Sequence, residues 1–383
     1  MQRQLSLTNS DEAVSPVIGT ILILAIMLTV TGTMLAWGIP QIQQNEAYAI
    51  YTSAQNNLLN FDVDLDHVLA QGEGSSRTST ISFSSGTFVQ RPNLDEIRYY
   101  YTAVPWSDPK IVGIKTGSES FAIKDNLEVV DNYRITLTYP NFCYDSDDNE
   151  VDFDATEEDC VDAGFTWVPD GTQWTGTSSE NIFSGFPYPL TYGTSATYTS
   201  TANTTQVGGF FIYGTDSLSY KYASVSGVFK MRMLNGGVVS KEPGGQFYVS
   251  SQPLTRSVTN EEVGKEDTYD SLTFYQTDYN MSSSIKSLMA GNYVFDIRNQ
   301  GGNDISLNIY SLRISFDGES ADALQRYYMS YNNFDAADYK FDRSESVVAH
   351  AEFPLEEDII YSQSTPFDFR LLERTIHVKF SLR

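Results

Sequence analysis

The densest chemistry in the 383-residue chain lies between its two cysteines, Cys143 and Cys160. Ten acids, Asp145, Asp147, Asp148, Glu150, Asp152, Asp154, Glu157, Glu158, Asp159 and Asp162, run from Asp145 to Asp162 without a single base. So many like charges repel one another unless a cation or water screens them. Asp145, Asp147 and Asn149, with Asp152 beyond, place oxygens at the alternating spacing of a calcium loop, a set suited to a hard cation. The EF-hand pattern is not completed, because Glu150 stands at the glycine position and Thr156 at the position of the bidentate glutamate. An ordered Ca2+ site and a plainly solvated acidic loop both remain open. In an oxidising compartment the two cysteines are expected to pair, closing the loop at a gain of roughly 3 kcal/mol. Gly164-Phe165-Thr166-Trp167 reads as the return to the core, giving an acidic disulfide-clipped insert over 143–168.

Catalytic chemistry is poorly provided for. The chain has no H-E-x-x-H, no G-x-S-x-G and no G-x-x-x-x-G-K-[ST], and Gly72-Glu73-Gly74 lacks the third glycine of a dinucleotide fingerprint. Its three histidines, His67, His350 and His377, are scattered through helical and strand-like patterns. No enzyme is expected. With 49 acids against 24 bases, a net charge of -25 and a pI near 4.3, the chain repels phosphate backbones, which argues against nucleic acid as a partner. Two cysteines are too few for a Cys-rich zinc module. Asn203 and Asn280 stand in glycosylation sequons, which matter only on an external domain.

The elements that must carry these residues begin with a helix. From Ala13 to Asn45 there is no charged side chain, and Val17 to Trp37 would span roughly 31 Å as a helix, about the thickness of a bilayer's hydrocarbon layer. A single transmembrane helix over 14–40 follows, with Pro16 in its first turn and Gly38-Ile39-Pro40 closing it. Arg3 precedes the apolar run and the acidic bulk follows it, so the N-terminus is expected in the cytoplasm and the remainder outside. Gly19 and Gly32 would let another helix approach closely in lipid. Beyond Pro40, residues 41–67 read as an extracellular continuation of the helix that sets Ile50, Ala54, Leu58, Phe61 and Leu65 on one apolar stripe, with Glu46, Asp62, Asp64 and Asp66 assigned to its polar face.

From residue 78 the period changes to alternation, as in Tyr133, Ile135, Leu137, Tyr139, in Tyr293, Phe295, Ile297, and in Ile376, Val378, Phe380, Leu382. These are strands with one face buried. In Ile305, Leu307, Ile309 and then Leu312, Ile314, Phe316 the phase slips at Ser311, which suggests a bulge or a change of sheet. Gly208-Gly209, Gly236-Gly237, Gly244-Gly245 and Gly301-Gly302 read as turns. The expected fold is α+β: a long N-terminal helix followed by an antiparallel, sandwich-like β-rich domain over 68–383, in one or two lobes.

Ala13-Val14-Ser15-Pro16-Val17-Ile18-Gly19-Thr20 and the apolar run after it resemble the start of archaeal type IV pilins and related pilin-like surface proteins. Glu12 stands where that family usually carries a base. The resemblance implies a leader over 1–13, cut between Ala13 and Val14 by a prepilin-type peptidase, and a helix that packs with neighbouring pilin-like subunits. In such a filament Leu24 and Met27 would belong to the assembly helix. The hairpin-like stretch Gly291 to Phe316 is also loosely similar to the sheet of pilin-like ectodomains. A head of about 300 residues is bulky for a densely packed major subunit. The expected role is therefore a minor or tip-like, adhesive or structural subunit that meets an unknown surface ligand. The second class in view is a non-polymerising, membrane-anchored binding protein.

Overall fold

A computed structural model describes residues 16–103, 113–116, 119–122, 133–145, 156–177, 187–200, 204–260, 268–281, 287–331 and 359–382. One helix, α1 (Pro16–Gln71), opens the fold. It is followed by β1 (Ser76–Phe83), β2 (Thr87–Thr102) and the small hairpin of β3 (Gly113–Thr116) with β4 (Glu119–Ala122). A middle block holds β5 (Tyr133–Tyr139), β6 (Phe142–Tyr144), the short helix α2 (Glu157–Asp162), β7 (Thr166–Val168), β8 (Thr172–Thr177) and β9 (Ser195–Ser200). Four strands come next, β10 (Thr205–Ser224), β11 (Gly227–Leu234), β12 (Gly237–Lys241) and β13 (Tyr248–Ser251). They lead into β14 (Thr255–Asn260), β15 (Thr268–Met281), β16 (Ser287–Leu288), β17 (Gly291–Asn299) and β18 (Asp304–Gly318). Helix α3 (Ala321–Tyr331) and the long strand β19 (Ile359–Leu382) complete the described chain.

Most strands join one 15-stranded sheet whose main path is β1-β17-β19-β18-β2-β10-β11-β12-β13. The strands show the alternation expected of one buried face. Tyr293, Phe295 and Ile297 of β17 are buried, while Asp296 and Arg298 between and beside them are exposed. The phase slip in β18 is a bulge: the register against β19 shifts between Ile309 and Ser311. Its effect is to keep Ile305, Leu307 and Ile309, then Leu312, Ile314 and Phe316, on the same core shared with β2, β15 and β19.

Three expectations about the sheet are corrected. It is not purely antiparallel, because β15 and β19 run parallel from Ser271↔Asp368 to Met281↔Val378. Gly291 to Phe316 is not a hairpin: β19 lies between β17 and β18 and pairs with both. The loop that looked like a hairpin turn gives its backbone to β19 as well, with Gln300 N–H donating to the Thr375 carbonyl at 2.9 Å. Gly208-Gly209 is not a turn but lies inside β10. A Cβ at Gly208 would stand 2.5 Å from the Tyr101 carbonyl oxygen, and one at Gly209 would strike the Ala196 carbonyl. The glycines let three backbones close up where β10 is paired on one edge with β2 and on the other with β9.

Helix α1 also departs from expectation. The closure expected at Gly38-Ile39-Pro40 does not occur: the helix runs unbroken from Pro16 through Pro40 to Gln71, and the expected continuation over 41–67 belongs to one rod about 84 Å long. Pro40 lacks the N–H that the Ala36 carbonyl would otherwise accept from, a cost of one hydrogen bond within a helix that continues on both sides of it. The helix ends where Gly72 takes a φ of +85°, the left-handed conformation glycine adopts most readily after a last turn.

Candidate functional site

One helix meets two environments. From Ile18 to Glu46 the described side chains are exposed or, at Gly19 and Gly38, half-exposed, and they include Ile21, Leu24, Met27, Leu28, Met34 and Leu35. Trp37, near the end of this stretch, is 78% exposed. This half is long and apolar enough to cross a membrane. Two of its threonines are paired within the helix, Thr29 donating to the Ala25 carbonyl at 2.7 Å and Thr33 to the Thr29 carbonyl at 2.8 Å, so neither hydroxyl needs a partner from the surroundings. A Cβ on Gly19 or Gly32 would meet nothing within 4 Å. At 100° per residue the two glycines point roughly 140° apart, so a single partner helix cannot use both.

At Ala47 the environment switches. Ala47, Tyr51, Ala54, Leu58, Phe61, Leu65 and Val68 are buried, at spacings of four and three throughout, and with Leu69 they form one core with β1, β10, β11, β12 and β17. Ile50, expected on this stripe, is only half-buried; Ala47 and Tyr51 take that face instead. Polar contacts fix the helix on both flanks. Toward β1, Asn57 donates to the Ser82 carbonyl at 2.6 Å and Asp64 pairs with Arg77 at 2.7 Å. Toward β12 and β13, Gln55 donates to Ser240 and Ser250 at 3.3 and 3.2 Å, and the Tyr51 and Tyr248 hydroxyls lie 3.3 Å apart.

Two acids break the apolar face. Asp62, expected on the polar side, is 0% exposed, and Asp66 one turn later is half-buried. Both Asp62 carboxylate oxygens, Asp66 Oδ1 and the Tyr279 hydroxyl are buried without a hydrogen bond of good geometry. Burial pushes the Asp62 carboxyl up to about 7, with Ser251 pulling slightly the other way. Asp66 is pushed up to about 7 by burial and then by Asp62 itself. Among the described residues no base pairs with either group, and both carboxyls hold their protons to a higher pH than an exposed acid does.

A second buried charge, Asp95, is compensated. Its Oδ1 accepts the Ser320 N–H at 2.7 Å, and Arg232, 4% exposed, brings Nη1 to 3.7 Å from Oδ2. Burial raises the Asp95 carboxyl, while the Ser320 amide and Arg232 draw it back. Arg232 also donates to Ser320 Oγ at 2.8 Å, pairs with Glu319 and stacks 4.6 Å over the Phe247 ring. The guanidinium thus ties β2, β11, the β12–β13 loop and the start of α3 together.

The sequence-selected residues are distributed as follows. Cys143 and Cys160 are joined, with Cα atoms 5.9 Å apart and both residues buried. The bridge ties β6 to α2. Thr156 caps α2, accepting the Asp159 N–H at 3.3 Å, and Glu157, Glu158 and Asp159 occupy its first turn, where the helix dipole favours acids. The return strand is β7, which buries Val168, while Phe165 just before it is exposed. Asp147, Asn149 and Asp152 of the candidate calcium set, the Ala13–Val14 cut and Asn203 lie outside the described residues; Asp145 is half-buried at the end of β6. Among the described residues no group of three or more His, Cys, Asp or Glu converges as a metal site. Asn280 is exposed on β15 and pairs in register with His377 of β19. Replacing Cys143 and Cys160 by serine is expected to destabilise the insert by about 3 kcal/mol, read as a lower melting temperature that matches the reduced wild-type chain.

Comparison of the chain with protein-family models, with curated proteins and with solved structures finds no match.

Proposed function

We propose that this chain is a pilin-like cell-surface protein, anchored through the first half of α1 with the β-rich head outside the cell. The switch at Ala47 carries the reading. The same helix presents large apolar side chains on all sides from Ile18 to Ile42 and a single buried stripe from Ala47 to Val68. An apolar cylinder about 20 residues long needs lipid or other helices around it, whereas the second half is already covered by its own sheet. The VSPVIG start is the motive for reading the anchor as pilin-like, with Ala13–Val14 as the cut and Leu24 and Met27 in the assembly face. In this reading the head is an adhesive or structural module, in a minor or tip-like position.

Protease added to intact cells is expected to remove the head and leave the span in the membrane. Survival of the head while the membrane is sealed would place it inside and end the reading. Filament membership has its own readout. Sheared surface filaments should contain the wild-type chain and lose it on Leu24→Lys, since an unpaired charge between packed helices in lipid costs several kcal/mol. A chain absent from every sheared filament but still shaved by protease would be a plain anchored binding protein.

A further inference from the structure

The turn between β10 and β11 is directed toward the lipid end of α1. The ring of Phe229 in β11 lies tilted 4.7 Å from Tyr51 and edge-on to Tyr48 at 5.4 Å, so this residue is level with positions 48–51 of the helix. At the other end of β11, a Cβ on Gly236 would touch Asp66 and Leu69. The strand therefore runs beside the helix in the same N-to-C sense. Two residues of strand from Phe229 to Gly227, with the turn beyond them, bring Val225 about 10 Å lower, which corresponds to about six residues of helix. That brings Val225 level with positions 42 to 45, where Ile42 is the last large apolar side chain of the exposed half.

The tip fits that height. Val225 is 70% exposed, one of the most exposed large apolar residues outside α1, and Val228 on the same hairpin is also exposed. The turn is tight, closing on the Ser224↔Gly227 pair, with Ser226 N–H donating to Ser224 Oγ at 3.1 Å. Gly227, at φ +123°, packs against Pro243 of the neighbouring β12–β13 loop, which backs the tip. Just above it Lys221, Lys230 and Lys241 are direct cross-strand neighbours on β10, β11 and β12. Lys230 is paired with Glu319 at 2.5 Å, and Glu46 and Glu242 are the other acids near this end. In a chain of charge -25, the three lysines here match Glu46, Glu242 and Glu319 in number, so this end does not repel phosphate-bearing head groups.

We infer that the β10–β11 hairpin rests its Val225 tip on the bilayer beside α1, with Lys221 reaching the lipid phosphates, so that the head is held at a fixed height and rotation over the membrane. This rests on the anchored reading of α1. It adds that the head touches lipid through a second element, which an apolar interfacial residue backed by a lysine favours.

The two cysteines of the chain are bonded to each other, so an introduced cysteine is a unique thiol. The full chain would carry an environment-sensitive fluorophore at Val225→Cys, at Met27→Cys in the span, or at Ser76→Cys, about 40 Å further along the helix axis. Each is reconstituted in phosphatidylcholine vesicles containing phosphatidylglycerol. The inference predicts a blue-shifted emission at 27 and at 225, quenched by brominated lipid, and a water-like emission at 76. It also predicts that Lys221→Gln weakens quenching at 225 without changing it at 27. A lipid signal at 27 with a water-like signal at 225 overturns the hairpin contact and leaves the anchor standing. A shift at 225 that appears only at high protein density and is insensitive to brominated lipid assigns the tip to a neighbouring copy and also overturns it. A water-like signal at 27 removes the anchor and the hairpin contact together.

Discussion

Asp62→Asn is expected to stabilise the head by about 2 to 4 kcal/mol at pH 8 and to leave it nearly unchanged near pH 4. The folded-state carboxyl of Asp62 is raised to about 7 from an ordinary 3.8, so the folded chain holds this proton more tightly than the unfolded chain does. The stability that comes from the bound proton is fully present below about pH 4 and is lost as pH rises through about 7. A shift of that size corresponds to about 4 kcal/mol, less what the new amide loses by finding no partner. Asp66, raised in the same direction, adds to the slope and is relieved in part when its neighbour carries no charge. Denaturant unfolding of the purified chain in detergent at pH 4, 6 and 8 reads the effect. A wild-type chain most stable at pH 8, or a variant weaker there, would show that Asp62 is ionised and satisfied in the folded state.

Arg232→Met should act in the opposite direction, costing about 3 to 5 kcal/mol, because it leaves the Asp95 carboxylate buried without its cation. The side-chain volume is nearly kept, so the loss is electrostatic rather than a cavity. Asp95→Asn in the same chain should recover much of it, since the uncompensated charge is then gone. If the single and double variants are equally weak, the guanidinium's contacts to Ser320 and Phe247 matter more than its charge.

The parts of the fold that are legible in the sequence are those set by neighbours in the chain. Alternation marks β5, β17 and the end of β19, and the slip at Ser311 marks the β18 bulge, because each depends only on which face of a strand is wet. The four-and-three spacing from Ala54 to Leu65 finds the docking face of α1 for the same reason. What escaped depends on distant residues. Nothing near Gly208 announces that the Tyr101 and Ala196 carbonyls converge there, so a glycine pair reads as a turn. Strand β19 enters between β17 and β18 from the far end of the chain. Asp62 reads as a surface acid because acids usually are; one signal that could have placed it inside is its spacing of four from Leu58 and three from Leu65. Pro40 reads as a stop, since the cost of one missing N–H is visible locally and the packing on the distal side of it is not.

The central claim is that α1 is divided near Ala47 between an anchor and a core helix. Alkaline carbonate washing of membranes from cells making either the full chain or one beginning at Gln41 tests it most directly. The full chain should remain in the membrane pellet, while the shortened chain should be soluble and folded, because among the described residues those from Ala47 onward pack α1 against the sheet core. Extraction of the full chain by carbonate, or a shortened chain that aggregates for want of its first forty residues, would contradict the division.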